Sequence, residues 1–246
     1  MRTMSERMTR TVKVAYGDVD RAERILLSRV FKLLQDAAIA HANQFGTGTE
    51  GAVARGETWV LSRIAVAIDR YAHPDEELRV ETWSTGIRGF KGFRDFRVVD
   101  AHERVVVAAS SVWIYLNLRT KSIARVPREV AAGFPVGAGS AWCPELEKTA
   151  FESPAATAVS VPITLRYSDV DVNAHVNNAA YLDFAQTALA RSGHNAYPQR
   201  IRLNYGKAIP ADAEGVVVQL EANHSGTRFA VWHEKVVCAL GEASPA

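Results

Sequence analysis

Cysteine is scarce in this chain: 246 residues carry two, Cys143 and Cys238. Two cannot supply a four-ligand zinc site, and they do not suggest an oxidised framework. Net charge is nearly absent as well, because 29 Lys+Arg against 27 Asp+Glu leaves +2. A nucleic-acid-binding chain would carry a basic excess, and none is present. Long apolar runs are missing. The most apolar stretch, Val105 to Leu118, is interrupted by Ser110, Ser111 and Asn117 and is too short to span a bilayer. The opening residues, MRTMSERMTR, contain no apolar h-region and do not read as a signal peptide. These absences predict a cytoplasmic protein with no membrane or nucleic-acid partner. Reaction signatures are missing too. No G-x-S-x-G occurs, His233-Glu234 lacks the second histidine of a zinc helix, and the remaining histidines have no metal-ligand spacing. Gly46 to Gly51 matches G-x-G-x-x-G, but it follows a helical pattern rather than a strand, which argues against a dinucleotide site.

What is present is an ordinary folding composition, 48% apolar and 23% charged, long enough to bury a core without staples. A short strand at Val12–Tyr16 leads into a polar turn. Leu26, Leu27, Val30, Phe31, Leu34, Ala37, Ala38 and His41 then recur at helical spacing, ending near Phe45-Gly46. Apolar or alternating runs at Trp59–Asp69, Leu78–Ile87, Phe93–Val99 and Val105–Leu118 predict four antiparallel strands. From about Asn117 to Ser160 the pattern dissolves into a proline-containing connector with one short helix near Pro127–Ala132.

The second half then repeats the first. Strand Val161–Arg166 precedes a turn and a helix from about Ala179 to Arg191. Strands follow at Ile201–Tyr205, Gly215–Glu221, Thr227–His233 and Lys235–Leu240. An offset of 151 places Tyr16 on Tyr167, Asp18 on Asp169, Asp20 on Asp171, Gln35 on Gln186 and Ala37 on Ala188. Shared residues in a shared strand–turn–helix context argue for a duplicated α+β unit. The expected limits are 1–120 for the first unit, 121–158 for the linker and 159–246 for the second.

Chemistry concentrates in the second turn, Asp171-Val172-Asn173-Ala174-His175-Val176-Asn177-Asn178. If that turn is extended, Asp171, Asn173 and His175 share one side, and Val172, Ala174 and Val176 face the packing side. A carboxylate can attack or activate water, an imidazole can relay a proton, and helix N-terminal N–H groups beside Asn177 and Asn178 can hold an oxyanion. Asp and Asn before a helix also serve as caps. At the same offset, however, the first unit has Ala22 for Asn173, Arg24 for His175 and Leu26-Leu27 for Asn177-Asn178. A helix is expected there too, so helix formation alone does not call for the polar cluster.

The run DVNAHVNNAAYL resembles the hotdog-fold thioesterase signature, and most closely the D-x-N-x-HVNN form of acyl-acyl carrier protein thioesterases. The likeness extends through WVLSRIAVAIDRY, RVETW, RDFRVVD and ASSVWIYLN of the first unit. The resemblance implies a tandem hotdog, each unit wrapping an antiparallel sheet around a long helix and the two packing as an internal pseudo-dimer, with a further homodimer left open. The first unit would shape the acyl pocket and carry a degenerate site, and the second would supply catalysis through Asp171, Asn173 and His175. The implied activity is cofactor-free hydrolysis of fatty acyl-acyl carrier protein. The alternatives are an acyl-CoA thioesterase and a catalytically decayed acyl-binding protein. Plant members place a Glu-Cys pair where this chain has Ala208-Ile209, so that catalytic glutamate is missing. Arg88, Lys91 and Arg94 form a basic turn expected to meet an acidic carrier or the phosphates of coenzyme A.

Overall fold

The computed structural model describes residues 6–46, 54–137, 142–155 and 157–245. All of the G-x-G-x-x-G motif but Gly46 lies outside them, as does part of the connector. The first half runs β1 (Arg7–Lys13), α1 (Leu27–Gln44), β2 (Glu57–Ile68), β3 (Glu77–Arg88), β4 (Lys91–Asp100) and β5 (Val105–Asn117). A two-residue β6 (Ser122–Ile123) folds back on β5, and α2 (Arg128–Gly133) follows. The second half runs β7 (Val159–Ile163), α3 (Ala180–Arg191), β8 (Arg200–Tyr205), β9 (Val216–Asn223), β10 (Gly226–His233) and β11 (Val236–Ser244).

Ten of these strands lie side by side in the order β1-β3-β4-β5-β2-β8-β11-β10-β9-β7, every neighbouring pair antiparallel. Counted from either edge, the order is the first, third, fourth, fifth and second strand of that half. The duplication seen in the sequence is thus a duplication of topology. The halves meet where β2 pairs with β8, from Arg63 opposite Asn204 to Ala67 opposite Arg200.

Helices α1 and α3 pack on one face of this sheet and share a single apolar core with it. On α1 the buried positions Leu27, Val30, Phe31, Leu34, Ala38 and His41 follow helical spacing. Gly46, at φ 64°, supplies the left-handed residue just beyond the helix. Buried leucines such as Leu34 and Leu182, each at most 1% exposed, contribute about 1.5–3 kcal/mol apiece by leaving water.

The connector is anchored on the opposite face. A 3₁₀ turn at Pro144–Lys148 inserts Leu146 against Ala65 and Val112. Arg63 Nη1 donates to the carbonyls of Leu146, Glu147 and Thr149 at 3.1, 2.8 and 2.8 Å, satisfying groups the short turn cannot pair itself. The first strand differs from expectation. It begins at Arg7 rather than Val12 and ends before Tyr16. It is an edge strand held by ladder hydrogen bonds to β3 and is largely exposed, so no apolar alternation marks it.

Candidate active site

The 171–175 segment is not extended. The Asp171 N–H donates to the His175 carbonyl at 2.9 Å, and the Ala174 N–H to the Asp171 carbonyl at 3.0 Å. Ala174 takes φ 58°, a left-handed conformation costly for a residue with a Cβ. The Asp171 carboxylate closes the loop through Oδ1, which accepts the Asn173 N–H at 2.9 Å. Of Val172, Ala174 and Val176, only Val176 is buried, and Val172 is 95% exposed. A closed turn rotates successive side chains apart, so the alternation expected of an extended segment does not apply.

Asp171 is half-buried, whereas Asn173 and His175 are exposed. No hydrogen bond joins these three side chains among the described residues. Asn177 closes an Asx turn just ahead of α3. Its Oδ1 accepts the Ala179 N–H at 2.9 Å, while its own N–H donates to the Asp169 carbonyl at 2.8 Å. Asn178 offers its carbonyl to the Tyr205 hydroxyl at 2.9 Å. Burial drives the Tyr205 phenol well above its ordinary pKa, so it stays a donor.

The segment after β8 seals the far side of the turn. Val176 N–H donates to the Ile209 carbonyl at 2.9 Å, Ala211 N–H to the Ala174 carbonyl at 3.1 Å, and His175 bridges Pro210. Ile209 N–H in turn donates to the Tyr181 hydroxyl at 3.3 Å. Ala208 is therefore beside the turn, exposed, and just beyond the end of β8 rather than within it. The sequence does not mark Tyr205 and Tyr181 as site residues. Tyr181 reads only as helix core, and nothing local marks Tyr205.

The first half builds the same cradle. Asp20 N–H donates to Arg24, Glu23 N–H to Asp20, and Leu26 N–H to Asp18, each at 2.9 Å. Asp20 Oδ1 accepts the Ala22 N–H at 2.8 Å, and Glu23 also sits at φ 58°. What differs is occupancy. The Tyr197 hydroxyl donates to Asp20 Oδ2, and the Leu27 N–H donates to Gln186 Oε1 at 3.2 Å. Their counterparts, Asp171 Oδ2 and the Asn178 N–H, have no protein partner among the described residues. Asn178 instead borders a cavity of about 10 Å³ with Gln35, Phe31 and Trp113.

The proposed basic turn is only partly a surface. Arg88 and Lys91 flank the β3–β4 hairpin, and both pair with Glu147, at 2.7 and 2.8 Å. Arg94 is a correction. It points inward, 6% exposed, onto His41 and Thr82, because the pleat puts it on the same face as Phe96 and Val98. It cannot greet a carrier from there.

Sequence comparison extends the geometry. The family model for the acyl-ACP thioesterase N-terminal domain matches residues 5–134, and that for the C-terminal domain matches residues 152–240. A chloroplastic palmitoyl-acyl carrier protein thioesterase of Arabidopsis thaliana is 30% identical over 169 residues, covering 63% of this chain and 40% of that protein. A chloroplastic dodecanoyl-[acyl-carrier-protein] hydrolase of Cinnamomum camphora is 31% identical over 172 residues, 63% of this chain and 44% of that one. The aligned segments thus span about two fifths of the length of these curated relatives. Among solved structures, an acyl-ACP thioesterase from Bacteroides thetaiotaomicron superposes with TM-score 0.83 at 21% identity, covering 97% of both chains. The 12:0-ACP thioesterase from Umbellularia californica gives 0.84 at 20% identity, over 98% of this chain and 97% of that one. At such identity these likenesses establish the fold.

Proposed function

This chain belongs to the acyl-ACP thioesterase family, and from that premise we propose that it hydrolyses fatty acyl-acyl carrier protein to a free fatty acid and the carrier thiol. On this reading the two mirrored halves are two hotdog units in one chain. Residues 1–120 form the acyl-pocket unit, 121–158 the linker and 159–246 the catalytic unit. No helix among the described residues is long and apolar enough to cross a membrane. The compartment proposed is cytoplasmic.

The observation that carries the reading is the pair of open positions in the second turn. Asp171 Oδ2 acts as general base on a water. The resulting hydroxide adds to the thioester carbon, and the carbonyl oxygen collects the negative charge. The Asn178 N–H faces that oxygen, in the position that Gln186 stoppers in the first half. As the carbonyl re-forms, the carbon–sulfur bond breaks, and the proton taken by Asp171 passes to the departing sulfur through His175. Asn173 and Asn177 hold the turn and the helix start. Arg88 and Lys91 steer an acidic carrier, weakly while Glu147 holds both.

A second reading, an acyl-binding protein without turnover, rests on Ala208, which leaves an uncharged methyl beside the turn where plant members carry a carboxylate. Thiol release from matched acyl-carrier-protein and acyl-CoA panels decides. Release from the carrier panel that disappears in Asp171→Ala supports the hydrolase. Acyl binding with no Asp171-dependent release overturns it, and a preference for acyl-CoA moves the substrate class.

A further inference from the structure

One charge in the interior is not used by the hydrolytic reading. Arg94 lies on the inner face of β4, 6% exposed. Its Nη1 donates to His41 Nδ1 and to Thr82 Oγ1, both at 3.0 Å, and its guanidinium lies 5.5 Å from the Phe134 ring centroid. No carboxylate pairs with it among the described residues, where its hydrogen bonds go to His41 and Thr82. A buried guanidinium without a counter-charge is expensive, and burial pushes its pKa down to about 9, leaving it charged at neutral pH. Such an expense is reasonable where an anion arrives during function.

Its position says what arrives. The small cavity beside Asn178 is bordered by Leu34 of α1, Phe96 of β4 and Trp113 of β5. From there Arg94 is two residues along β4, about 7 Å, and His41 is seven residues along α1, about 10 Å. Trp113 Nε1–H donates to Ser111 Oγ at 2.8 Å, and Ser111 donates to the Arg94 carbonyl at 3.2 Å, so polar contacts link the two places. The buried side chains of Leu34, Ala37, Ala38 and Phe96 lie along the stretch between. An acyl group entering beside Asn178 must shift side chains along it, and its distal end then meets Arg94.

The geometry points to Arg94, with His41 and Thr82 holding it, as a recognition site for a carboxylate at the far end of the acyl chain. The preferred substrate would then be a thioester whose chain ends in a carboxyl group rather than a methyl. This rests on the thioesterase reading for the direction of entry, but binding tests it without turnover. The guanidinium fork is suited to a two-point contact with a carboxylate, and Thr82 and His41 already fix its plane.

The probes are dicarboxylic acid half methyl esters and fatty acid methyl esters of equal length, titrated calorimetrically into the full chain. Wild type should bind the half esters about tenfold more tightly, and Arg94→Met should abolish that preference while keeping the melting temperature. Carrier thioesters with carboxyl and methyl ends should show the same tenfold ratio in kcat/KM and lose it in the variant. No preference in wild type overturns the proposal, and that measurement stands even if Arg94→Met does not fold. A variant that only speeds methyl-ended chains makes Arg94 a floor of the channel and also overturns it. Binding preference without thiol release leaves the recognition site standing and removes the hydrolase reading instead.

Discussion

The turns at residues 20–24 and 171–175 share their main hydrogen bonds, down to a left-handed residue at φ 58° in each, although Asp20 Oδ1 also accepts the Arg24 N–H at 3.3 Å. Yet one is shut and the other open. In the first half, Tyr197 occupies the free carboxylate oxygen of Asp20, and Gln186 occupies the Leu27 N–H. Both stoppers come from the second half. Arg24 stacks over the Tyr197 ring at 4.4 Å, completing the seal. The comparison teaches that the Asx-closed turn is architecture, used in both halves to launch a buried helix. Function is carried by what the open copy leaves unpaired.

The largest expected effect separates the two aspartates. Asp171→Asn should lower kcat by about 100-fold or more, the scale of losing a general base, while melting little changed because Asn also closes such turns. Asp20→Asn should leave kcat within about twofold, a change too small for loss of a general base. Thiol-release assays on both variants measure the contrast, and equal losses would break it.

Next comes the seal. Tyr197→Phe removes the hydroxyl from Asp20 and should cost about 1–2 kcal/mol of stability at neutral pH. Burial opposes ionisation of Asp20, but the Tyr197 hydroxyl and the backbone N–H groups of Ala22 and Arg24 together hold its carboxyl below the ordinary range. The contribution is therefore complete above the unfolded value of about 3.9 and is lost as pH falls through the lower folded-state value. Denaturation curves of wild type and Tyr197→Phe should converge in acid. A gap that stays constant would assign the loss to packing against Tyr71, 5.4 Å away between ring centroids.

A smaller effect is expected at Ala208. In the first half, Ile25 N–H donates to the Ala72 carbonyl, as Val176 does to Ile209, so the equivalent of Ala208 is Tyr71. That side chain is spent on the Pro198 carbonyl, at 2.7 Å. Ala208→Glu places a second carboxylate beside Asp171, and like charges disfavour joint ionisation. The acidic limb of the pH–rate profile should move up by about half a unit to one unit, moderated by the exposure of the site. An unmoved limb would mean that residue 208 does not feel the Asp171 charge.

Much of this asymmetry is legible in the sequence. The 151-residue offset, the strand sequence and the polar cluster all follow from residue type and period. The turn's closed form is not legible, because alternation says nothing once a chain closes on its own carboxylate. The inward placement of Arg94 does have a signal in the sequence. In Phe93-Arg94-Asp95-Phe96-Arg97-Val98, Arg94 shares parity with Phe96 and Val98, which are 2% and 1% exposed. Its charge suggests a surface position, but the pleat places it inside. The stoppers Tyr197 and Gln186 are tertiary, 177 and 159 residues from their partners, and no local pattern announces such contacts.

The smallest effect tests whether the first half steers a carrier at all. Glu147, from the connector, holds both Arg88 and Lys91, and Lys91 above all draws its carboxyl pKa down. Pairs this close to the surface are worth little in stability, but they cancel the field an acidic partner would feel. Glu147→Gln frees two cations without touching either half's turn. It should raise kcat/KM for a carrier-linked thioester about twofold at low ionic strength, with the gain fading as salt shortens the screening length. The same acyl group on a small uncharged thiol should show no change. A gain on both substrates would locate the effect in the neighbouring groove, where Leu146 and Cys143 pack, and a gain on neither would place carrier recognition on the second half, beside the open turn.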